Sequence, residues 1–264
     1  MTKPRTILIT GAGTGIGEAC ARRLADEGHN LVLVGRRRQP LERVAAQTGG
    51  LVLVGDAASV EAWSGFIEQI RSRFGSLDAL LACAGGHGLG TATETSEEGW
   101  QAAMRSNLDS AFYSARACLP LLIERRGSIV LLGSIASLAA GPQVCGYTTA
   151  KHALLGLNRS LARDYGPLGV RVNCVCPGWV RTPMADEEMQ PLMQHFGEDL
   201  DAAYARVTAD VPLRRPASAE EIASVCRFLI SDEASIITGA SIVADGGSSI
   251  VDVPTLVFDR LGGA

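Results

Sequence analysis

The sequence predicts an α/β fold, a doubly wound parallel sheet of about seven strands with helices on both faces. Three observations carry that expectation. Short runs rich in Val, Ile and Leu recur along the chain and alternate with longer helical patterns. The runs are apolar almost throughout rather than alternately apolar and polar, as strands covered on both faces must be. A glycine-rich loop follows the first run directly and opens the first helix.

Taken in order, strands are expected at residues 6–10, 30–35, 51–55, 79–82, 128–133, 170–174 and 241–244. Runs such as Leu31-Val32-Leu33-Val34 and Ile129-Val130-Leu131-Leu132 are too short for buried helices and suit strands of a parallel sheet. Helices are expected between them, at 15–28, 38–48, 59–74, 96–123, 145–165 and 218–231. No linker rich in Pro, Ser or charge divides the chain and no long period repeats, so residues 1–264 read as one domain. The stretch 183–212 breaks the rhythm: it is polar and helical, with acids at Asp186, Glu187, Glu188, Glu198, Asp199 and Asp201. It follows a strand end, where ligands bind in open α/β sheets, and is expected to be a substrate lid; a solvated pair of surface helices is the alternative.

Composition narrows the function classes. With 264 residues, 47% hydrophobic and 20% charged, the chain is globular. A net charge of −4 argues against a nucleic-acid partner, which requires a basic face. No apolar run reaches the roughly 18–20 residues that span a bilayer, so no membrane association is expected. The N-terminus carries no apolar segment with a small-residue cleavage site. The seven cysteines are odd in number and form no C-x-x-C, which reads as reduced thiols in a cytoplasmic protein. Neither they nor the four histidines show metal-ligand spacing, so no metal is expected.

The chemistry-bearing motifs begin at Thr10-Gly11-Ala12-Gly13-Thr14-Gly15-Ile16-Gly17. Glycines there let the chain turn sharply and let a pyrophosphate approach the helix N-terminus, whose free N–H groups and dipole favour anions. After the second strand, where an acid would accept from a ribose 2′-hydroxyl, the chain has Gly35 followed by Arg36, Arg37 and Arg38. Arginine neutralises a 2′-phosphate, so NADP(H) is favoured over NAD(H). Tyr147 and Lys151 are spaced i, i+4 and share one helix face. A phenol ionises near pH 10, and a nearby ammonium stabilises the phenolate, which makes such a pair a usable general acid/base. Ser134 closes the fifth strand at the edge where the cofactor is expected.

These pieces together resemble the short-chain dehydrogenase/reductase family over residues 5 to 250: Thr10-Gly-x-x-x-Gly-x-Gly17, Asp56, Ser106-Asn107-Leu108, Ser134 thirteen residues before Tyr147-x-x-x-Lys151, Pro177-Gly178-x-x-x-Thr182, and Ala244-Asp245-Gly246-Gly247. The resemblance implies a Rossmann-type fold and a catalytic set of Asn107, Ser134, Tyr147 and Lys151. Tyr147 would exchange a proton with the substrate oxygen, Ser134 would polarise the carbonyl, Lys151 would hold the nicotinamide ribose, and Asn107 would position a water linking Lys151 to solvent. Asp56 would bind the adenine amino group and Thr182 the carboxamide. The cofactor contacts so implied are Gly11, Gly13, Thr14, Gly15, Ile16, Gly17, Arg36, Arg37, Asp56, Ala57, Ala84, Gly85, Tyr147, Lys151, Pro177, Gly178, Val180 and Thr182.

One position departs from the family pattern. Where Asn-Ala-Gly is usual after the fourth strand, the chain has Cys83-Ala84-Gly85-Gly86, and a thiol bonds more weakly than an amide. Ser134 lacks the surroundings of a hydrolase nucleophile, since no Gly-x-Ser-x-Gly encloses it. His152 is expected to be structural. Substrate contacts are expected from His87, Leu138, Val144, Trp179 and Met184, a set that suits a mid-sized, partly apolar molecule. The expectation is an NADP(H)-dependent oxidoreductase interconverting a carbonyl and a secondary alcohol, and the family resemblance implies a homotetramer or homodimer. An NAD-dependent dehydrogenase of a diol or sugar alcohol, and a non-catalytic dinucleotide-binding regulator, are the alternatives.

Overall fold

The structure is a computed structural model and describes residues 4–259 and 261. Among these, seven strands form one parallel sheet: β1 (Thr6–Thr10), β2 (Asn30–Gly35), β3 (Leu51–Val54), β4 (Ala79–Ala82), β5 (Ser128–Leu132), β6 (Arg171–Pro177) and β7 (Ser241–Ala244). Their order across the sheet is β3-β2-β1-β4-β5-β6-β7. The chain therefore builds outward from β1 in one direction, returns, and builds outward from β4 in the other. The ends of β1 and β4 flank the crevice that such a reversal opens.

Alternation along the strands splits the core in two, because successive side chains point to opposite faces. Leu8, Val32, Leu80, Ile129 and Val172 pack on one face, beneath α3 (Val60–Phe74), α5 (Ser110–Arg125) and α6 (Cys145–Tyr165). Ile7, Ile9, Leu33, Leu81, Val130 and Val175 pack on the other, beneath α1 (Gly15–Asp26), α2 (Arg38–Thr48) and α9 (Ala219–Ile230). Each such side chain stabilises the fold by roughly 1.5–3 kcal/mol through removal from water. A charge at Leu8, which is fully buried, would break the first layer.

Most boundaries fall within two residues of the sequence expectation, and two elements differ by more. The strand expected at 170–174 runs on to Pro177, because β7 pairs alongside it and matches Cys176 with Val243 and Pro177 with Ala244. The single helix expected at 96–123 is α4 (Glu97–Met104), a π turn at Arg105–Asp109, and then α5. The Asn107 side chain bonds the Ala103 carbonyl inside this widened turn at 3.0 Å, a contact periodicity does not register.

The 183–212 stretch forms α7 (Pro183–Phe196) and α8 (Leu200–Val207), which enclose a small core of Ala185, Met189, Ala203 and Tyr204. Tyr204 is fully buried and donates its hydroxyl to Asp186 Oδ1 at 2.8 Å. Burial, then the adjoining carboxylate, pushes this phenol well up from its ordinary value. Several acids of the stretch are engaged rather than merely solvated: Arg181 pairs with Asp201 and stands over the Tyr204 ring, and Arg206 grips Glu198. No helix among the described residues is long and apolar enough to cross a membrane. All seven cysteines are free thiols.

Candidate active site

The first wall of the site is the loop after β1. Gly11 and Gly15 have φ of +66° and +56°, a region that L side chains rarely adopt. A Cβ at Gly17 would collide with the Gly11 carbonyl, so the close approach of loop and helix requires glycine there. Thr14 stands at the N-cap of α1 without a side-chain capping bond, which leaves first-turn N–H groups open to an anionic ligand. A Cβ at Gly15 would come within 3.1 Å of Thr182 Cγ2, so residues expected at two ends of a cofactor are neighbours. Ala84 N–H donates to Thr10 Oγ1 at 3.0 Å and locks the ends of β1 and β4 together. Thr10 was outside the expected contacts; its signal was a hydroxyl at the last residue of the strand, directly before the glycine loop.

The cationic edge follows β2. Arg38 pairs with Glu42 and Arg43 with Glu18, but among the described residues Arg36 and Arg37 have no carboxylate partner and both are exposed. Two guanidinium groups with no carboxylate at contact distance, beside a loop with open N–H groups, suit a further phosphate. Across from them, Asp56 Oδ1 accepts from Ala58 N–H at 2.9 Å and Oδ2 accepts from Arg105. Partial burial alone would raise this carboxyl, but the Ala58 N–H and the Arg105 guanidinium outweigh it and hold it below the usual carboxylate value. Ala57 beside it is buried.

The second wall carries the groups that could move protons. Lys151 is 4% exposed, and its Nζ donates to the Leu132 carbonyl at 2.8 Å while standing 5.5 Å from the centre of the Tyr147 ring. Asn107 is buried and clamps Gly86, donating to its carbonyl at 3.0 Å and accepting from its N–H at 3.2 Å. A Cβ at Gly85 would sit 3.2 Å from Asn107 Oδ1 and 3.8 Å from Lys151 Nζ, so glycine keeps the space over both open. Ser134 Oγ accepts from Ala136 N–H at 3.1 Å and starts the turn Ile135–Ser137, which fixes its place beyond β5. Tyr147 N–H donates to Gly88 O at 3.2 Å, and any side chain at Gly88 would strike that same N–H. The constraint on Gly88, within the loop 87–90 expected to line the pocket, belongs to no local motif, because it comes from a helix far along the chain.

Beneath Ser134, Cys174 and Cys176 lie 4.0 Å apart on one face of β6. Either thiol could donate to the other, and the Cys174 contact, with the Ser137 hydroxyl and the Ser134 N–H, lowers the Cys176 thiol from its ordinary value. The same contact, together with burial, drives Cys174 up. Cys83 is half-buried in the layer beneath α1 and α9, packed as a small apolar residue.

The expected substrate contacts fall into two places. His87 faces α7, with Nδ1 3.0 Å from Glu188 Oε1 and Nε2 3.4 Å from Glu187 Oε2. Trp179 packs against the small core of α7 and α8, and Met184 lies half-buried in the first turn of α7. Leu138 follows the Ser134 turn and is 45% exposed, whereas Val144 bridges Gly90 ahead of α6. Pro177-Gly178 is held by the last turn: Gly178 N–H donates to Ala244 O at 3.2 Å, and a Cβ there would meet Asp245 at 3.0 Å. Val180 is buried and bridges Ala217. His152 lies on the outer side of α6, with Nδ1 2.9 Å from Thr148 O.

Known proteins share this arrangement. A family model described as enoyl-(acyl carrier protein) reductase matches residues 11–249. Protein MoaE of Klebsiella aerogenes is 54% identical over 96% of the chain and 99% of its own length. The meso-2,3-butanediol dehydrogenase of Serratia marcescens is 35% identical, covering 94% of the chain and 96% of its own. A crystal structure of L-sorbose reductase from Gluconobacter frateurii, complexed with NADPH and L-sorbose, superposes with a TM-score of 0.88 at 30% identity over 93% of the chain and 96% of its own. The crevice at the reversal of the sheet, with an anion loop on one wall and a buried lysine beside a phenol on the other, thus belongs to an NAD(P)-dependent oxidoreductase acting on CH–OH and C=O groups, a member of the short-chain dehydrogenase/reductase family.

Proposed function

We propose that the protein is an NADP(H)-dependent oxidoreductase that interconverts a carbonyl and a secondary alcohol on a mid-sized, partly apolar substrate. The observation that carries this reading is the buried Lys151 ammonium beside Tyr147, on the helix that faces Ser134. The residues fit a nicotinamide dinucleotide: the glycine loop and open N-terminus of α1 suit the pyrophosphate, Arg36 and Arg37 a 2′-phosphate, and Asp56 the adenine. The bound cofactor supplies hydride to the carbonyl carbon, or takes it back from the alcohol carbon in the reverse direction.

The chain's own groups handle the oxygen. Tyr147 donates its hydroxyl proton to the oxygen as charge grows there, and Ser134 donates a hydrogen bond to the same atom. Lys151 has three N–H bonds and spends one on the Leu132 carbonyl, which leaves two for a ribose hydroxyl and for restoring the proton of Tyr147. Asn107 holds the Gly86 loop in place at the Lys151 end, where solvent can resupply protons. The α7–α8 pair closes the substrate side as a lid, with Trp179 packed against its core, Met184 half-buried in its first turn and His87 as its contact to the opposite loop.

The test is Tyr147→Phe. NADPH binding should stay within about twofold of wild type, while carbonyl reduction falls by about 10²–10⁴-fold, the range a positioned proton donor contributes. Full activity in that variant would end the assignment. A second reading, NAD-dependent oxidation of a diol or sugar alcohol, is favoured by the likeness to meso-2,3-butanediol dehydrogenase. Initial rates with both cofactors on vicinal diols and on simple ketones separate the two. Self-association into a dimer or tetramer is supported by the exposed apolar residues Ile250, Val253 and Phe258 near the C-terminus, and light scattering tests it. The seven free thiols fit a reducing, cytoplasmic setting.

A further inference from the structure

Arg105 lies outside every motif of the sequence, yet its guanidinium holds Asp56 with two donors on one oxygen: Nε and Nη2 reach Oδ2 at 3.1 and 2.9 Å. The other oxygen, Oδ1, accepts the Ala58 N–H at 2.9 Å. A carboxylate oxygen offers about two acceptor sites, so Oδ2 is filled and Oδ1 keeps one. Arg105 opens the π turn that also carries Asn107, and the turn sends the two side chains different ways. Asn107 goes inward to Gly86, and Arg105 goes across the surface to the loop after β3. The pair is open to solvent, with side chains 54% and 36% exposed, and a pair of that kind adds little to stability. What it does constrain is the rotation of a carboxylate that otherwise rests on one backbone bond.

We propose that Arg105 is a positioning residue for adenine: by occupying Oδ2 it fixes the Asp56 carboxylate so that the remaining acceptor site of Oδ1 meets the exocyclic amine of the ring. The inference rests on the reading that the protein binds a nicotinamide dinucleotide with its adenine at Asp56. The physical reason is preorganisation. An exposed aspartate must give up rotamer freedom on binding, and a planar two-donor fork removes that freedom beforehand.

The test compares NADPH with its hypoxanthine analogue, in which a carbonyl replaces the exocyclic amine, by fluorescence titration of the reduced nicotinamide. Wild type should bind the adenine form about tenfold more tightly, the worth of one well-placed hydrogen bond to a charged group. Arg105→Ala should cut that preference to about twofold, mainly by weakening the adenine form, and Arg105→Lys should restore part of it. Melting temperature should move by no more than about 4 °C, as for an exposed ion pair, so the effect on discrimination is separable from folding. An unchanged preference in Arg105→Ala overturns the proposal, as does an equal loss for both cofactors, which would make Arg105 a general attractant for phosphate. If wild type binds both forms equally, the Asp56 assignment fails and this inference with it, while dinucleotide binding stands. If wild type binds neither form, the functional reading itself has failed.

Discussion

The two halves of the sheet build their parts of the crevice by different means. On the β1–β3 side the ligand-facing groups are backbone N–H donors, positive-φ glycines and solvent-exposed arginines, all within loops that directly follow a strand. On the β4–β7 side the groups are side chains held by partners far along the chain, Asn107 and Lys151 buried and His87 half-exposed: Asn107 on Gly86, Lys151 on Leu132, His87 on Glu188, 21, 19 and 101 residues apart. On the first side the glycines and the exposed charged side chains are the sensitive positions, and changes there should appear in cofactor binding. A surface formed by side chains depends on each partner, and its failures should appear in turnover rather than in cofactor affinity.

Substitutions can break or sharpen this contrast. The largest effect on cofactor affinity is expected at Gly17→Ala, where the new methyl meets the Gly11 carbonyl, a backbone atom with little room to move. Displacing the loop by that clash should weaken NADPH binding by about a hundredfold or more, read by titration. If affinity survives, the β1 side is more plastic than its geometry implies. Next comes the paired change Arg36→Asp and Arg37→Ala, which should lower the NADPH-to-NADH preference in kcat/KM by about a hundredfold. An unmoved ratio would remove the 2′-phosphate reading and leave the rest of the crevice intact.

On the other side, Glu188→Gln weakens the bridge from α7 to His87 and should raise KM for substrate a few-fold, on the order of an exposed pair's worth, with NADPH affinity unchanged. A change in cofactor affinity instead would mean that the two sides are not separable. The smallest effect is expected away from both walls, at the N-terminus of α9, where Ser218 and Glu221 form a reciprocal cap. Ser218→Ala should cost about 1 kcal/mol of stability in denaturant unfolding, with kinetics unaltered. Arg215 and the Ser218 N–H hold the Glu221 carboxyl down at about 2. Because its folded value lies below the ordinary one, this contribution is complete above about pH 4.5 and disappears as the pH falls toward 2. A stability profile of Glu221→Gln that still falls in parallel with wild type across that window would place the acid sensitivity elsewhere.

How far the site could be read from sequence follows the same division. The loop Gly11–Gly17 was legible because its constraint is local: glycines packed between an apolar strand and a helix mark a tight turn at an open helix N-terminus, which suits a phosphate. Tyr147 and Lys151 were legible as a pair because helical spacing alone places them on one face, and the structure puts Nζ 5.5 Å from the ring. The contacts that constrain Thr10, Gly88 and Arg105 were not legible. Each residue matters through a partner 74, 59 or 49 residues away (Ala84, Tyr147 and Asp56), and nothing in a local window marks such a partner. His87 was legible only as a polar residue on a glycine-rich loop, and its two glutamate contacts needed α7 in place.

Local patterning by itself determined the parallel sheet, the helices on its two faces, the anion loop and the phenol–ammonium face of α6, because each depends on periodicity or on glycine within a few residues. Tertiary structure alone decided which arginines lack counter-ions, how β7 lengthens β6, how the π turn splits one helical stretch and sends Asn107 and Arg105 in different directions, and which acids of α7 and α8 are engaged. The reason is common to all of these: they are pairings between elements, and a pairing energy depends on two positions whose distance along the chain carries no information about their distance in space.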